Sequence, residues 1–305
     1  MASVTLAESA KLCQDELVQG VIENVISIDQ SYGLLPFQGI DGNAISYDRE
    51  NALGTVQAAG VGDTITAKEA ATFTKVSTAL TTLIGDAEVN GLIQATRSGV
   101  MDQTSVQIAS KAKNLGRYYQ NYLINGTGAS DQFSGLLALC ASGQKVTTAT
   151  DGAALSFALL DELCDLVKAK NGQVDFIMMP LRTRRAYKTL LRALGGSSAD
   201  EVYTMPNGAN VIAFNGIPIF ANEWIPVDQT QGATDTCTSV IAGVFDDGSQ
   251  KVGVAGLTAK NEAGISVEYA GMHATKDEKI WRVKWYASLA VYSEKAIAVL
   301  PGITN

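Results

Sequence analysis

Residues 40–84 carry too few large apolar side chains to build a core of their own. This stretch is rich in Gly, Ala and Thr. Its larger apolar residues stand far apart: Ile45, Tyr47, Val56, Phe73 and Val76. The alternating runs AISYDRE and TFTKVSTAL favour two strands, and GVGD at 60–63 favours a turn between them. Because an isolated hairpin is marginally stable in water, we expect this one to lie against another surface.

A long amphipathic helix is predicted over residues 99–123. Side chains at spacings of three and four share one stripe along it: Met101, Thr104, Ile108, Ala112, Leu115, Tyr119 and Tyr122. At 1.5 Å per residue such a helix spans roughly 37 Å. We expect it to end at Asn125-Gly126, where a glycine adopts a left-handed conformation at little cost.

Three glycines follow this helix: Gly126, Gly128 and Gly135. A phosphate-binding P-loop follows a strand, precedes a helix and ends in Lys and Ser or Thr. Here the glycines follow a helix, and no Lys stands between Asn125 and Leu139. A dinucleotide-binding fingerprint also needs a preceding strand. We therefore interpret the cluster as a turn that ends the helix and redirects the chain.

The remaining sequence mixes helical and strand patterns, which predicts an α+β fold. ALSFALLDELCDLV favours a helix with its leucines on one face: Leu155, Leu159, Leu163 and Leu166. VDFIMMP at 174–180 is typical of a buried strand, and LRTRRAYKTLLRAL of a basic helix. Asn215-Gly216 within NVIAFNGIPIF is a strong two-residue hairpin signal.

Strands are also predicted at TSVIAGVF, QKVGVAGL, ISVEYAGM and KIWRVKWYASLAVY. In the last of these, Trp281, Val283 and Trp285 alternate with two basic residues, Arg282 and Lys284. That alternation is typical of an antiparallel sheet with one covered face.

An amphipathic helix is also predicted near the N-terminus, over residues 5–26. One face carries its apolar side chains: Leu6, Ala10, Cys13, Leu17, Val21 and Val25. Such a helix either packs on its own subunit or forms an arm that docks on a neighbouring one.

Charge and cysteine content exclude several classes of function. The formal net charge of −8 disfavours nucleic-acid binding, which requires clustered Lys and Arg. The four cysteines contain no CxxC pair, so zinc and redox motifs are not expected at Cys13, Cys140, Cys164 or Cys237. We see no secretory signal and no apolar run of the ~20 residues that a membrane span requires. The expectation is a protein that is made in the cytoplasm and stays soluble or assembles there.

Candidate chemical sites are few, and none nominates a catalytic, cofactor-binding or metal-binding residue. The lone His273 lacks the context of a catalytic triad and is expected to be solvated. Asp246-Asp247-Gly248-Ser249 lacks the spacing of a calcium loop and is typical of a turn. The basic run Arg182–Lys188 is either a solvated helix face or a source of ion pairs across a subunit interface; nucleic-acid binding ranks third.

In order, these elements resemble the major capsid protein of tailed bacteriophages, with its Hong Kong 97-type fold. The resemblance covers about residues 5–300 and rests on five features in sequence: the N-terminal arm, the Gly/Ala/Thr-rich hairpin at 44–82, the long helix opening at Ser98-Gly99 and closing in YLINGTG, the Gly135-Leu136 step, and the helix–strand–helix unit before NGIPIF.

That resemblance implies a division into five segments. They are an N-terminal arm at 1–39, an extended E-loop hairpin at 40–84, a peripheral domain with the spine helix at 85–144, an inserted axial domain at 145–260, and peripheral return strands at 261–305. The implied function is that of a non-enzymatic subunit, which assembles into hexamers and pentamers of an icosahedral virion shell around double-stranded DNA. The implied partners are further copies of the chain, a separate scaffolding protein, a portal and a decoration protein, with no sequence-specific DNA contact and no membrane.

Two other functions stay open from the sequence. An encapsulin-type nanocompartment has the same fold but holds a cargo enzyme. A soluble α/β enzyme using carboxylates is a further alternative, although no particular Asp is nominated. Some members of the capsid family cross-link Lys to Asn; Lys68 and Lys75 lie in the hairpin, but no motif selects a partner, and we do not expect cross-linking.

Overall fold

The computed structural model describes residues 32–97, 102–193, 202–205, 208, 210–248 and 251–305. The helix predicted at 5–26 and Cys13 lie outside these residues. The described helices are α1 (Gly91–Arg97), α2 (Gln103–Asn125), α3 (Leu136–Leu139), α4 (Phe157–Leu166) and α5 (Leu181–Ala193). The described strands are β1 (Phe37–Ile40), β2 (Ala44–Ala52), β3 (Thr72–Ala79), β4 (Thr81–Asn90), β5 (Phe176–Met179), β6 (Val202–Thr204), β7 (Asn210–Phe214), β8 (Ile217–Ala221), β9 (Gln229–Gln231), β10 (Thr234–Gly243), β11 (Val254–Ala259), β12 (Ser266–Met272), β13 (Glu278–Val291) and β14 (Ile297–Ile303).

The long strand β13 organises the first sheet. Among the described residues this sheet has five strands, in the order β1-β11-β13-β12, with β4 paired to β13 as well. The predicted alternation along β13 is confirmed, since Val283 and Trp285 are buried while Arg282 pairs with Asp86. From Ala287 to Val291 every residue is buried, so this end of the strand is covered on both faces.

Helix α2 packs on the first sheet through a group of aromatic rings. Tyr119 is fully buried, and its ring centroid lies 4.6 Å from that of Trp285 and 5.4 Å from that of Phe133. The helix begins four residues later than predicted. Its N-cap is Asp102, whose carboxylate accepts hydrogen bonds from the backbone N–H groups of Thr104 and Ser105.

The second sheet contains β14-β10-β5-β8-β7-β6 in that order, with β9 paired to β10, among the described residues. The predicted hairpin at Asn215-Gly216 is confirmed: β7 and β8 flank these two residues, whose φ angles are 50° and 76°. Positive φ at both central positions is what a type I′ turn requires. The β5 strand, predicted at 174–180, is entirely buried between β10 and β8.

Strands β2 and β3 form a separate two-stranded ribbon. They coincide with the two predicted alternating runs, and the predicted turn at 60–63 is present as a hydrogen bond from Asp63 N to Gly60 O. Nearly every residue from 50 to 75 is exposed. The expectation of a hairpin without its own core therefore agrees with the structure.

Sheet membership differs from the expected domain limits in four places. Strand β1 runs through the limit between residues 39 and 40 and pairs with β11 in the first sheet. Strand β4 runs through the limit between residues 84 and 85. Strand β11, expected in the axial segment, belongs to the first sheet, and β14, expected among the peripheral return strands, pairs with β10 in the second sheet. The sequence patterns predicted neither strand β14 nor its backbone pairing with β10.

The glycine cluster turns the chain, but not through the expected left-handed residue at Gly126. That residue has φ −55° and ψ 131°, and the left-handed glycine is Gly128, with φ 74°. At Gly126 the requirement is close approach: a Cβ there would lie 2.1 Å from the carbonyl oxygen of Phe133. Its carbonyl oxygen accepts a hydrogen bond of 2.8 Å from Gly135 N, which closes the turn.

We predict that Gly126→Ala destabilises the folded protein by about 1–3 kcal/mol, because the added methyl group overpacks this turn. Gly116→Ala is the matched control, since a Cβ at this interior position of α2 meets no atom within 4 Å. The control should stabilise the helix by about 0.5–1 kcal/mol. Urea unfolding midpoints measure both, and equal midpoints for the two variants would contradict the assignment.

Candidate functional site

The base of the hairpin is anchored to the body of the subunit. Ile45 and Tyr47 point from β2 towards a small apolar cluster, separate from the main core. The buried members of this cluster are Ile40, Ala255, Leu257, Ala290 and Tyr292. The ring of Tyr47 meets that of Tyr292 edge to face at 5.1 Å, and its hydroxyl donates to Val291 O at 2.9 Å.

Arg49 is the polar part of this anchor. Its guanidinium donates to the carbonyl oxygens of Tyr292 at 2.8 Å and Val291 at 2.5 Å, and pairs with Glu294 at 3.0 Å. A planar guanidinium can satisfy several acceptors at once, which a Lys ammonium cannot do in the same geometry. Burial raises the pKa of Tyr292 to about 12, with smaller contributions from Asp246 and Tyr47, so this hydroxyl keeps its proton and donates to Gln38.

A cleft of about 680 Å³ opens beside the anchor. It is lined by residues 47–51 of β2 on one side and by Lys251 and residues 292–295 on the other. Both acidic and basic side chains line it, and Arg49 joins the two sides through its ion pair with Glu294. The cleft is therefore the gap beneath the hairpin where it leaves the body.

Beyond the anchor, the hairpin presents large apolar side chains to water. Five of them are between 62% and 110% exposed: Leu53, Val56, Val61, Ile65 and Phe73. A group of apolar residues this exposed on one projecting element is typical of a surface that another protein covers. We call residues 53–71, which join β2 to β3, the hairpin tip.

His273, the lone histidine, lies in the turn between β12 and β13. Its backbone N–H donates to Glu278 O at 2.9 Å, and its Nδ1 accepts from Thr275 N at 3.2 Å. These contacts give it a local role in the turn.

The turn at Asp246–Gly248 is not an isolated acidic loop. Lys170 reaches it from the preceding chain, and its ammonium lies 3.5 Å from Asp247 and 3.7 Å from Asp175 and donates to Phe245 O at 2.6 Å. A side-chain ammonium thus occupies the position between the carboxylates. Among the described residues, no group of three or more His, Cys, Asp or Glu could hold a metal ion.

The basic run Arg182–Lys188 lies on α5, and its basic side chains are not all solvated, since Arg182, Arg184 and Lys188 are half-buried. Arg182 is half-buried and donates to the carbonyl oxygen of Thr236 at 2.8 Å, with longer contacts to Val227 and Ile303. It therefore joins α5 to the ends of β10 and β14. Arg185 is exposed, as predicted.

The described cysteines are free thiols: Cys140 and Cys237 are buried and Cys164 is half-buried. Burial raises the pKa of Cys140, and it raises that of Cys164 to about 11 with help from Asp161 and Asp165. Such thiols stay protonated and are poor nucleophiles at neutral pH.

Lys68 and Lys75 are both exposed on the hairpin. None of the described helices is long and apolar enough to cross a membrane.

Over nearly all of its length the chain matches the fold of capsid-type shell proteins. The holo-SrpI encapsulin of Synechococcus elongatus PCC 7942 matches with a TM-score of 0.75 at 19% identity, over 99% of this chain and 97% of that one. The capsid of an empty GTA particle matches with a TM-score of 0.72 at 14% identity, over 99% of both chains. The cyanophage A-1(L) capsid matches with a TM-score of 0.71 at 14% identity, over 99% and 100%. The Hong Kong 97-type capsid fold expected from the sequence is therefore confirmed.

A family assignment comes from the sequence itself. Residues 75–304 match the family described as type 2A encapsulin shell protein, SrpI-like. The chain belongs to this family of structural shell proteins. No curated protein matches the chain. The match favours the encapsulin alternative over the phage capsid that the sequence analysis placed first.

We predict that Arg49→Ala loosens the base of the hairpin, because three hydrogen bonds to the segment 291–294 are lost. Limited proteolysis of the unassembled subunit should cut within residues 44–79 several-fold faster, and the free energy of unfolding should fall by about 1–3 kcal/mol. Arg49→Lys should be intermediate. Lys75→Ala, an exposed site on the partner strand, is the control; equal cleavage of the two alanine variants would refute the anchor.

Proposed function

We propose that this protein is the shell subunit of an encapsulin nanocompartment, which encloses a cargo protein. The observation that carries the proposal is the match of residues 75–304 to the type 2A encapsulin shell family. The likeness to the holo-SrpI encapsulin over nearly the whole chain supports it. The partners are further copies of the chain and the cargo, and assembly takes place in the bacterial cytoplasm.

The exposed hairpin supports a function in which copies of the chain contact one another. Its tip exposes four large apolar side chains, Leu53, Val56, Val61 and Ile65, and covering one such side chain contributes about 1.5–3 kcal/mol. A closed shell repeats each contact by symmetry, so one tip per subunit yields many equivalent interfaces. In this proposal each tip lies on a neighbouring subunit of a pentamer or hexamer.

We keep the five-segment division as part of the proposal, and we reassign a strand where it pairs with the sheet of another segment. The arm at 1–39 and the E-loop at 40–84 make contacts between subunits. The peripheral segment at 85–144 and the strands after 261 form the wall, and the axial segment at 145–260 gathers around the centre of each capsomer. Strand β14 joins the axial segment because it pairs with β10 in the second sheet, and β11 joins the peripheral segment because it pairs with β13 in the first sheet.

The second candidate is a major capsid protein of a tailed bacteriophage. The matches to phage capsid structures favour it, among them the cyanophage A-1(L) capsid and the capsid of Myoviridae phage XM1. Under this function the partners are a scaffolding protein, a portal, a decoration protein and packaged DNA, and the subunit resides in the virion. The carboxylate enzyme of the sequence analysis is not proposed further, because the matched proteins are structural shell proteins.

We predict that purified particles contain a protein cargo and lack nuclease-protected DNA. The measurement is electron microscopy of particles isolated with their neighbouring gene products, followed by mass spectrometry and nucleic-acid extraction. Closed particles with a co-purifying protein support the nanocompartment. Closed particles with protected genomic DNA support the phage capsid, and small discrete oligomers alone would contradict both.

We also predict that replacing residues 53–71 with Asn-Gly prevents shell formation but leaves the subunit folded. Ala52 pairs with Thr72, so a two-residue type I′ turn can join the strands at this point. Because the tip is exposed, its loss should change the free energy of unfolding by less than about 1 kcal/mol.

The control for this variant is Val267→Thr, a change at an exposed apolar site outside the hairpin. Urea unfolding measures the fold, and size-exclusion chromatography with electron microscopy measures assembly. Loss of the fold in the tip variant would contradict the hairpin's independence of the core. Normal shells from it would contradict the tip's role in assembly.

A further inference from the structure

We propose that Gln57 is a positioning residue for shell assembly, acting as a clamp that holds the hairpin tip in the shape that a second copy of the chain receives. This inference rests on the proposed shell function and deepens it. It assigns a role to one polar side chain among the exposed apolar ones.

The clamp is a set of hydrogen bonds from one side-chain amide. The Oε1 atom of Gln57 accepts from Thr66 N at 2.7 Å, from Thr66 Oγ1 at 2.7 Å and from Ala67 N at 2.9 Å. Its Nε2 atom donates to Thr64 O at 3.1 Å. One residue on the outgoing arm of the tip thus binds four groups on the returning arm.

These contacts take the place of a strand ladder. Regular pairing between β2 and β3 ends at Ala52 and Thr72, and residues 53–71 continue without regular strand pairing. Nearer the body, Thr55 and Glu69 hold the two arms together through Thr55 N to Glu69 O and Glu69 N to Thr55 Oγ1, both at 3.1 Å. At the far end, the Asp63 carboxylate accepts from Gly60 N at 2.6 Å. Gln57 lies between these two sets of hydrogen bonds.

The clamp matters because the tip must leave water to form an interface. Backbone N–H groups that are buried without a partner are costly, and the amides of Thr66 and Ala67 would otherwise depend on water. With Gln57 in place they are already satisfied inside the subunit. The apolar neighbours Val56 and Ile65 can then be covered without desolvating unpaired donors.

Preorganisation of the tip is a second way in which the clamp favours assembly. A tip that is fixed before contact loses less conformational freedom on binding than one that is ordered by the partner. In the free subunit these same hydrogen bonds are exposed, where water competes for the groups and their net contribution is small. The expected signature is therefore a large effect on assembly and a small effect on folding.

The experiment compares Gln57→Ala with the full-length wild type in reassembly from dissociated subunits. The critical concentration for particle formation, measured by light scattering and electron microscopy, should rise about tenfold or more, which corresponds to at least about 1.4 kcal/mol. The urea unfolding midpoint of the dissociated subunit should stay unchanged. Hydrogen exchange of a peptide covering the tip should become faster in the variant.

Two further variants make the result specific. Gln57→Glu keeps the acceptor oxygen but loses the donor to Thr64 O, so its critical concentration should lie between those of the wild type and the alanine variant. Gln107→Ala, an exposed glutamine on α2 for which the described residues show no side-chain hydrogen bond, should behave as the wild type.

The outcomes separate this role from the function on which it rests. If the wild type assembles and Gln57→Ala assembles at the same concentration, the clamp is refuted and the shell function stands. A large fall in the urea midpoint would show that Gln57 serves the fold instead. A wild type that forms no particles would overturn the proposed function and this role together.

Discussion

The contact between Tyr119 and Trp285 is the interaction on which the rest of the subunit depends. It fixes the long helix α2 to the longest strand of the first sheet, with Phe37 and Phe133 completing the aromatic group. The helix end then sets where the glycine turn delivers the chain to the second sheet. Both sheets and the departure of the hairpin are positioned relative to this one rigid pair of elements.

The hairpin obeys a different constraint, since it projects from the body without a core. A few contacts at its base, chiefly those of Tyr47 and Arg49, determine its direction, while side-chain hydrogen bonds give its tip a shape. Apolar side chains on such an element gain nothing in the isolated subunit. Under the proposed shell function, a neighbouring copy covers these side chains, which accounts for their exposure in the single chain.

Much of this architecture is readable from the sequence because it rests on local patterns. The period of α2, the Asn215-Gly216 turn and the alternation in β13 each follow from neighbouring residues. Strand β14 and the cap at Asp102 were missed. The pairing of β14 with β10 is set by tertiary contacts about sixty residues apart, which no local pattern encodes. The left-handed conformation expected at Gly126 was wrong. Glycine is required there because the carbonyl group of Phe133 leaves no room for a Cβ, a contact that the local sequence does not show.

The same limit applies to the candidate site. The lack of a core in the hairpin was visible in composition, but the contacts of Arg49 and Gln57 were not, because both depend on which backbone groups come near in space. Lys170 is a third example: nothing in the sequence around Asp247 shows that an ammonium from another loop lies 3.5 Å from its carboxylate.

The late position of β14 in the chain has a consequence for synthesis on the ribosome. Strand β10 is complete by residue 243, yet one of its edges is covered only when residues 297–303 have emerged and paired with it. Until then Val240 and Ile241 belong to a sheet with an open edge, the kind of surface that pairs wrongly with other chains. A nascent chain therefore completes this edge of the second sheet well after β10 itself has been made. On a polysome, where identical chains lie close together, the edge of β10 is open to a neighbouring chain until that point.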